Sequence, residues 1–139
     1  MSYLVDTNVI SELRKRERGH AGVVRWAASV EPLELYTSVL VIGEIRRGIE
    51  LKRRADAAQA DALRLWFDKL RAGLGARILP IDESVAETWG RLGIPHLLPV
   101  IDGLIAATAI VHGLIVVTRN VADLARAGVP VLNPFAPLT

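Results

Sequence analysis

Asp6 closes a short apolar run, Tyr3-Leu4-Val5, and other acids and amides stand against apolar sequence in the same way. Glu44 lies inside VLVIGEI, Asp102 follows Ile101, and Asn120 with Asp123 follows LIVVT. A carboxylate in such surroundings costs free energy unless something compensates it. Each has an ordinary compensation. Asp6 and Asp102 can cap the helices that begin beside them. Asn120 and Asp123 have the spacing of a capping pair, with a shorter acid than the capping box uses. Glu44 stands just before Arg46 and Arg47, so an ion pair on one helix face is open to it. Taken together, these explanations fit less well, because Glu44 has Leu40, Val41 and Ile45 around it and borders an apolar face. Carboxylates meeting in one pocket of low dielectric repel and raise each other's pKa. A divalent cation is the simplest compensation.

The donor types narrow the cation. The chain has no cysteine and only three histidines, His20, His96 and His112, at no metal-ligand spacing. Oxygen ligands point to Mg2+, with Mn2+ as its substitute, in preference to Zn2+. An ion held by two or three carboxylates keeps waters, and such a water can become a nucleophile towards a phosphodiester. Thr7 and Thr118 can add hydroxyls near the site, and Asn8 can orient Asp6; each is equally a cap or turn residue.

The elements that must position these groups follow from hydrophobic spacing. Tyr3–Val5 reads as a strand and Asp6–Lys15 as a helix with Val9, Ile10 and Leu13 on one face. A short helix over 20–29 and a strand over 34–37 follow, and Thr37 or Ser38 caps a helix over 39–51. An amphipathic helix over 52–70 ends at Gly73 and Gly75. A strand over 76–81 leads to a helix opened by Asp82 or Ser84. A loop at 95–99 precedes an apolar helix over 101–112. LIVVT, 114–118, is a strand of the kind buried on both faces in parallel sheets. A short helix over 120–127, a strand over 129–132 and an irregular tail NPFAPLT complete the chain. Alternating strands and helices make the fold class α/β with a mostly parallel sheet. Ligands of such sheets sit beyond the carboxyl ends of the strands, where both Asp6 and Thr118-Arg119-Asn120 are placed.

At 139 residues, 51% hydrophobic and 23% charged, residues 1–139 fit a single globular domain. The absence of cysteine fits a reducing cytosol, and Asp6 interrupts any leader-like apolar stretch, so a cytoplasmic location is expected. The most membrane-like segment, 97–118, contains Asp102 and His112 and is broken by Gly103 and Gly113, which reads as a buried core with no membrane contact. A formal charge of +2 is mildly basic and compatible with a polyanionic ligand.

Three motifs, YLVDTNVISELRK, TSVLVIGEIRRGIE and VIDGLIAATAIVHGLIVVTRNVADL, occur in order across nearly the whole chain. In them the sequence resembles the PIN-domain family, and within it the VapC-type toxin ribonucleases of bacterial toxin–antitoxin pairs, close to the FitB-like branch. The resemblance implies a three-layer α/β/α PIN-like fold and a Mg2+-dependent endoribonuclease that cuts structured RNA such as transfer RNA or ribosomal RNA. It makes Asp6, Glu44 and Asp102 the metal-binding acids. The family often carries a fourth acid where this chain has Asn120, so Asn120 or Asp123 takes that catalytic position. The resemblance further implies a cognate VapB-type antitoxin and a homodimer. The amphipathic stretches 9–13 and 39–65 are candidates for the groove that an antitoxin fills. Arg46, Arg47, Lys52, Arg53 and Arg54 form a candidate phosphate-contacting run, with Arg46 and Arg119 expected nearest the site.

Two rivals remain. DTNVI superficially matches the DxDx pattern of aspartyl-phosphate enzymes, but Asn8 stands where the second Asp is required, and no lysine follows Lys69. A non-catalytic member that only binds RNA or its antitoxin is the other alternative, which the amide at Asn120 makes conceivable.

Overall fold

The computed structural model describes residues 1–137; the last two residues of the 1–139 domain and of its tail lie outside the described residues. The chain alternates strands and helices throughout: β1 (Tyr3–Val5), α1 (Thr7–Arg14), α2 (Ala21–Ala28), β2 (Leu35–Ser38), α3 (Val39–Arg53), α4 (Ala57–Leu74), β3 (Ile78–Leu79), α5 (Glu83–Arg91), α6 (Val100–His112), β4 (Ile115–Val117), α7 (Val121–Arg126) and β5 (Val131–Leu132). The five strands form one sheet in the order β3-β2-β1-β4-β5. Every pairing in it is parallel, so the sheet is wholly and not just mostly parallel.

Parallel neighbours need crossover connections, and right-handed crossovers put α1–α4 on one face and α5–α7 on the other. Within these layers α3 packs on α4, and α5 on α6. The strands are short and covered on both sides: Leu4, Val5, Val116 and Val117 are buried, and with Val9, Val41, Phe67, Ile105 and Leu124 they make one core. The outward half of each layer is where the charged residues go, as amphipathic helices on a buried sheet require.

Local chemistry explains where the boundaries differ from the sequence expectation. Ser38, not Thr37, caps α3, accepting from the Leu40 N–H at 3.1 Å; Thr37 is buried and donates to the Val5 carbonyl across the sheet at 2.8 Å. The helix expected from residue 52 begins at Ala57, because Asp56 accepts from the Gln59 N–H at 3.0 Å and so outcompetes continuation of α3. Gly73 stays inside α4; Gly75, with φ at +54°, ends it. The 76–81 strand shrinks to two paired residues, and 129–132 likewise to two. Asp82 is the cap of α5, through the Val85 N–H at 3.0 Å.

The order of strands also locates the functional edge. Connections from β1 run to β2 on one side, while β4, its other neighbour, belongs to the later half of the chain. This reversal point lies between β1 and β4, whose registers align Val5 with Val117. The residues just past both, Asp6 and Thr118, therefore emerge side by side. Among the described residues, no helix is long and apolar enough to cross a membrane.

Candidate active site

Asp6 is the N-cap of α1, with extended backbone and its Oδ1 accepting from the Thr7 N–H at 2.8 Å. The capping explanation of Asp6 therefore holds, but it uses only one oxygen. Oδ2 accepts from the hydroxyl of buried Thr118 at 2.8 Å, one residue past β4. Thr118 Oγ1 itself accepts from the Asn8 side-chain amide at 3.3 Å and from the Asn120 backbone N–H at 3.0 Å. Asn8 orients Asp6 through Thr118, and its Oδ1 accepts from the Arg119 N–H at 3.1 Å. A carboxylate that is 93% covered is thus kept in one rotamer by hydroxyl and amide donors, with no basic side chain pairing it.

Glu44 projects from α3 on the side facing α1. It is exposed, makes no ion pair with Arg46 or Arg47, and accepts from the Thr7 hydroxyl at 2.8 Å. Asp102 lies in the first turn of α6, whose cap position is Pro99, so Asp102 is not its cap. The capping pair expected at Asn120 and Asp123 does not form either. Asn120 makes no cap bond to α7 and donates its side-chain amide to Asp102 Oδ2 at 2.9 Å. Asp123 pairs with Arg126 at 3.1 Å, one turn along α7.

Asp6, Glu44 and Asp102 nonetheless line one open pocket of about 330 Å³, together with Thr7, Asn8 and Asn120. Ile101 and Ile105 form its apolar wall. Asp123 is not part of the lining, though its charge reaches Asp102. The sequence reading missed the two isoleucines. Ile105 was findable, since it stands one helical turn after Asp102 and shares its face. Of the two arginines expected nearest the site, Arg119 is at the rim through its bond to Asn8. Arg46 is committed elsewhere: its guanidinium lies 5.1 Å from the Phe67 ring centroid and 3.5 Å from Glu50. Arg53 is likewise paired, with Glu50 and Asp61.

The electrostatics of the pocket point to a missing positive charge. Among the described residues no lysine, arginine or histidine lines it. Burial pushes the Asp102 carboxyl above its ordinary range, the nearby charge of Asp6 adds to this, and Asp123 adds a smaller share; the Asn120 amide partly offsets the rise. The donor set of three carboxylates, two neutral amides and a hydroxyl suits a hard cation such as Mg2+. As the side chains stand, no three acids or histidines among the described residues converge closely enough to hold an ion. Glu44 is an exposed side chain on α3, held by the Thr7 hydroxyl.

The raised Asp102 pKa carries a stability prediction. Folding favours its protonated form, so the contribution is fully present below the unfolded value of about 3.9 and is lost as pH rises through the higher folded value. At neutral pH the ionised group opposes folding. Asp102→Asn keeps an acceptor for Asn120 and is expected to raise Tm slightly at pH 7 and not at all near pH 3, measured by thermal denaturation. Mg2+ is expected to raise the Tm of the unaltered protein more than that of Asp102→Asn.

The sequence profile of the PIN domain matches residues 3–129. VapC ribonuclease Y4jK of Sinorhizobium fredii is 33% identical over 96% of this chain and 98% of its own. Toxin FitB of Neisseria gonorrhoeae is 36% identical over 95% of this chain and 97% of its own. The crystal structure of FitAcB from Neisseria gonorrhoeae superposes with a TM-score of 0.87 at 33% identity, covering 96% of this chain and 98% of that one. With a five-stranded parallel sheet between helical layers, and a match over nearly its whole length, the chain belongs to the PIN domain family.

Proposed function

We propose that this protein is a metal-dependent endoribonuclease and the toxin of a toxin–antitoxin pair. The observation that carries the reading is three carboxylates from distant parts of the chain, Asp6, Glu44 and Asp102, lining one pocket that no basic side chain among the described residues lines. Its relatives named as a ribonuclease and as a toxin, aligned over nearly their full lengths, support it. Mg2+, or Mn2+ in its place, is the proposed cofactor, held by Asp6 and Asp102 with Glu44 completing the set. When bound, such an ion neutralises phosphate charge and lowers the pKa of water enough to make it a nucleophile at neutral pH.

The chain's own part is orientation. Thr118 and the Thr7 N–H hold Asp6 in a single rotamer, so its carboxylate needs little reorganisation to meet a cation. Asn120 holds Asp102 from the side, leaving Oδ1 free. Asn120 therefore serves as a positioning residue for Asp102, while Asp123 acts on it only through charge. The apolar wall of Ile101 and Ile105 limits water on one side of the pocket.

The proposed substrate is structured RNA, transfer or ribosomal, reached from the cytoplasm. The proposed partners are a cognate antitoxin and a second copy of the chain. A groove lined by Ser11, Arg14, Ile45, Ile49, Leu63 and Trp66 runs between α1, α3 and α4 and shares Thr7 and Glu44 with the acidic pocket. An antitoxin segment seated there would abut the acids, which is how binding would silence them.

The test is direct. Purified protein incubated with transfer and ribosomal RNA is expected to produce discrete fragments in Mg2+ or Mn2+ and none in EDTA. An absence of cleavage under all metal conditions, with RNA or antitoxin still bound, would replace this reading by that of a non-catalytic binding module. A trapped phosphoaspartate at Asp6 would replace it by the phosphatase reading, against which Asn8 already stands committed to Thr118 and Arg119.

A further inference from the structure

We propose that Arg119, backed by the ring of Phe135, is a built phosphate grip that holds the RNA strand beside the acidic pocket. The proposal rests on the ribonuclease reading for its substrate class.

Arg119 is placed by the same hydrogen bonds that hold Asp6. Its backbone N–H donates to Asn8 Oδ1, and its neighbours on either side are Thr118, which donates to Asp6, and Asn120, which donates to Asp102. Its position relative to the acids is therefore fixed from three directions. The side chain is exposed, and its guanidinium carbon lies 4.0 Å from the centroid of Phe135. At that distance the ring supports the cation and restricts its rotamers.

The ring in turn is held. His20 lies on it with centroids 5.0 Å apart, and the His20 ring is itself fixed by accepting from the Gly22 N–H at 3.1 Å. The Phe135 N–H donates to Asn133 Oδ1 at 3.0 Å. The segment passes so close to α2 that a Cβ on Gly22 would stand 2.3 Å from the Pro134 carbonyl oxygen. A long basic side chain on a mobile loop would lose much entropy on binding; one backed by a fixed ring loses less.

The guanidinium also has unspent donors. Among the described residues it takes part in no salt bridge. Glu12 is the acid whose charge it feels, but Glu12 is occupied by Lys15 at 2.6 Å and by the His20 N–H at 3.0 Å. The contrast with Arg46 and Arg53, both paired within their own layer, singles out Arg119. A planar fork of free N–H donors suits a phosphate oxygen pair. A grip here would also supply the positive charge that the acidic pocket lacks towards a polyanion, without placing a base among the metal-binding acids.

The experiment measures binding of a short fluorescein-labelled single-stranded RNA of mixed sequence to the full chain carrying Asp6→Asn, which prevents cleavage, across a series of salt concentrations. Adding Arg119→Ala is expected to weaken binding about tenfold and to reduce the slope of log affinity against log salt by about 0.7, one single-strand phosphate contact. Arg119→Lys keeps the slope. Phe135→Leu keeps the slope but weakens binding, because the charge remains and its support is gone. In the chain with native Asp6, Arg119→Ala leaves Mn2+ affinity by calorimetry and the melting temperature unchanged. An unaltered salt slope in Arg119→Ala overturns the proposal, as does a matching loss of Mn2+ affinity, which would make the residue structural. Failure of wild-type protein to cut RNA in Mg2+ would remove the ribonuclease reading while leaving the slope measurement to decide the contact.

Discussion

Asp6→Asn is expected to lower metal-dependent RNA cleavage by about a hundred- to a thousandfold while leaving the fold intact. Single preorganised groups that stabilise charge in a reaction are worth about 10²–10³ in rate, and Asp6 is the proposed ligand with the least freedom to be replaced by a neighbour. The amide oxygen still accepts from the Thr7 N–H, but the Thr118 hydroxyl oxygen already accepts from Asn8 and Asn120 and has no lone pair left for the new NH2 group, so the variant is expected to fold and to melt a few degrees lower. The helix loses a charge at its first turn, worth about 0.3–1 kcal/mol, but Asp102 loses the repulsion that Asp6 exerts on it. Cleavage assays paired with thermal denaturation check both halves: an inactive variant that melts only a few degrees lower supports the role, and a variant retaining cleavage refutes it.

The second large effect is on stability. Phe67 is 1% exposed, sits where α4 meets α3, and has Arg46 and Arg71 above its ring at 5.1 and 5.3 Å. Phe67→Ala should cost about 3–5 kcal/mol, lowering Tm on the order of 10 °C in a domain of this size. Because α3 carries Glu44, cleavage should fall as well, even though Phe67 touches none of the acids. Phe67→Leu, which conserves most of the volume, should cost under about 1.5 kcal/mol. Denaturant titration with the slope of unfolding held constant distinguishes lost packing from a changed unfolded state.

Much of the fold was readable because its elements are marked locally. LIVVT reads as a doubly buried strand, and Asp6 and Asp82 announce the starts of helices by a chemistry that acts over three residues, whereas hydrophobic spacing hides the same signal at Asp56 by running α4 back to residue 52. What local chemistry could not supply was competition. Asn120 has the right type and spacing to cap α7, and only the fold reveals that Asp102, 18 residues earlier in the chain, takes its amide instead. Thr118 reads in the sequence as a hydroxyl near the site or a turn residue; only the fold reveals that this hydroxyl joins three hydrogen bonds in which Asp6, Asn8 and Asn120 all take part. Arg46 looked like an RNA contact and is spent on Phe67 and Glu50. The three acids were legible as a group because each stands at an apolar boundary. Their side-chain arrangement, with Glu44 turned to Thr7, depends on packing between helices that no spacing rule encodes.

The bond between Asp6 and Thr118 joins residues 112 positions apart, across β1 and β4. During synthesis β1 is made well before its neighbour β4, a delay on the order of ten seconds at ordinary elongation rates. Asp102, too, arrives late. A nascent or prematurely terminated chain ending before β4 lacks the Thr118 and Asn120 bonds that hold Asp6 and Asp102, so translation itself withholds the finished site until β4 has been made.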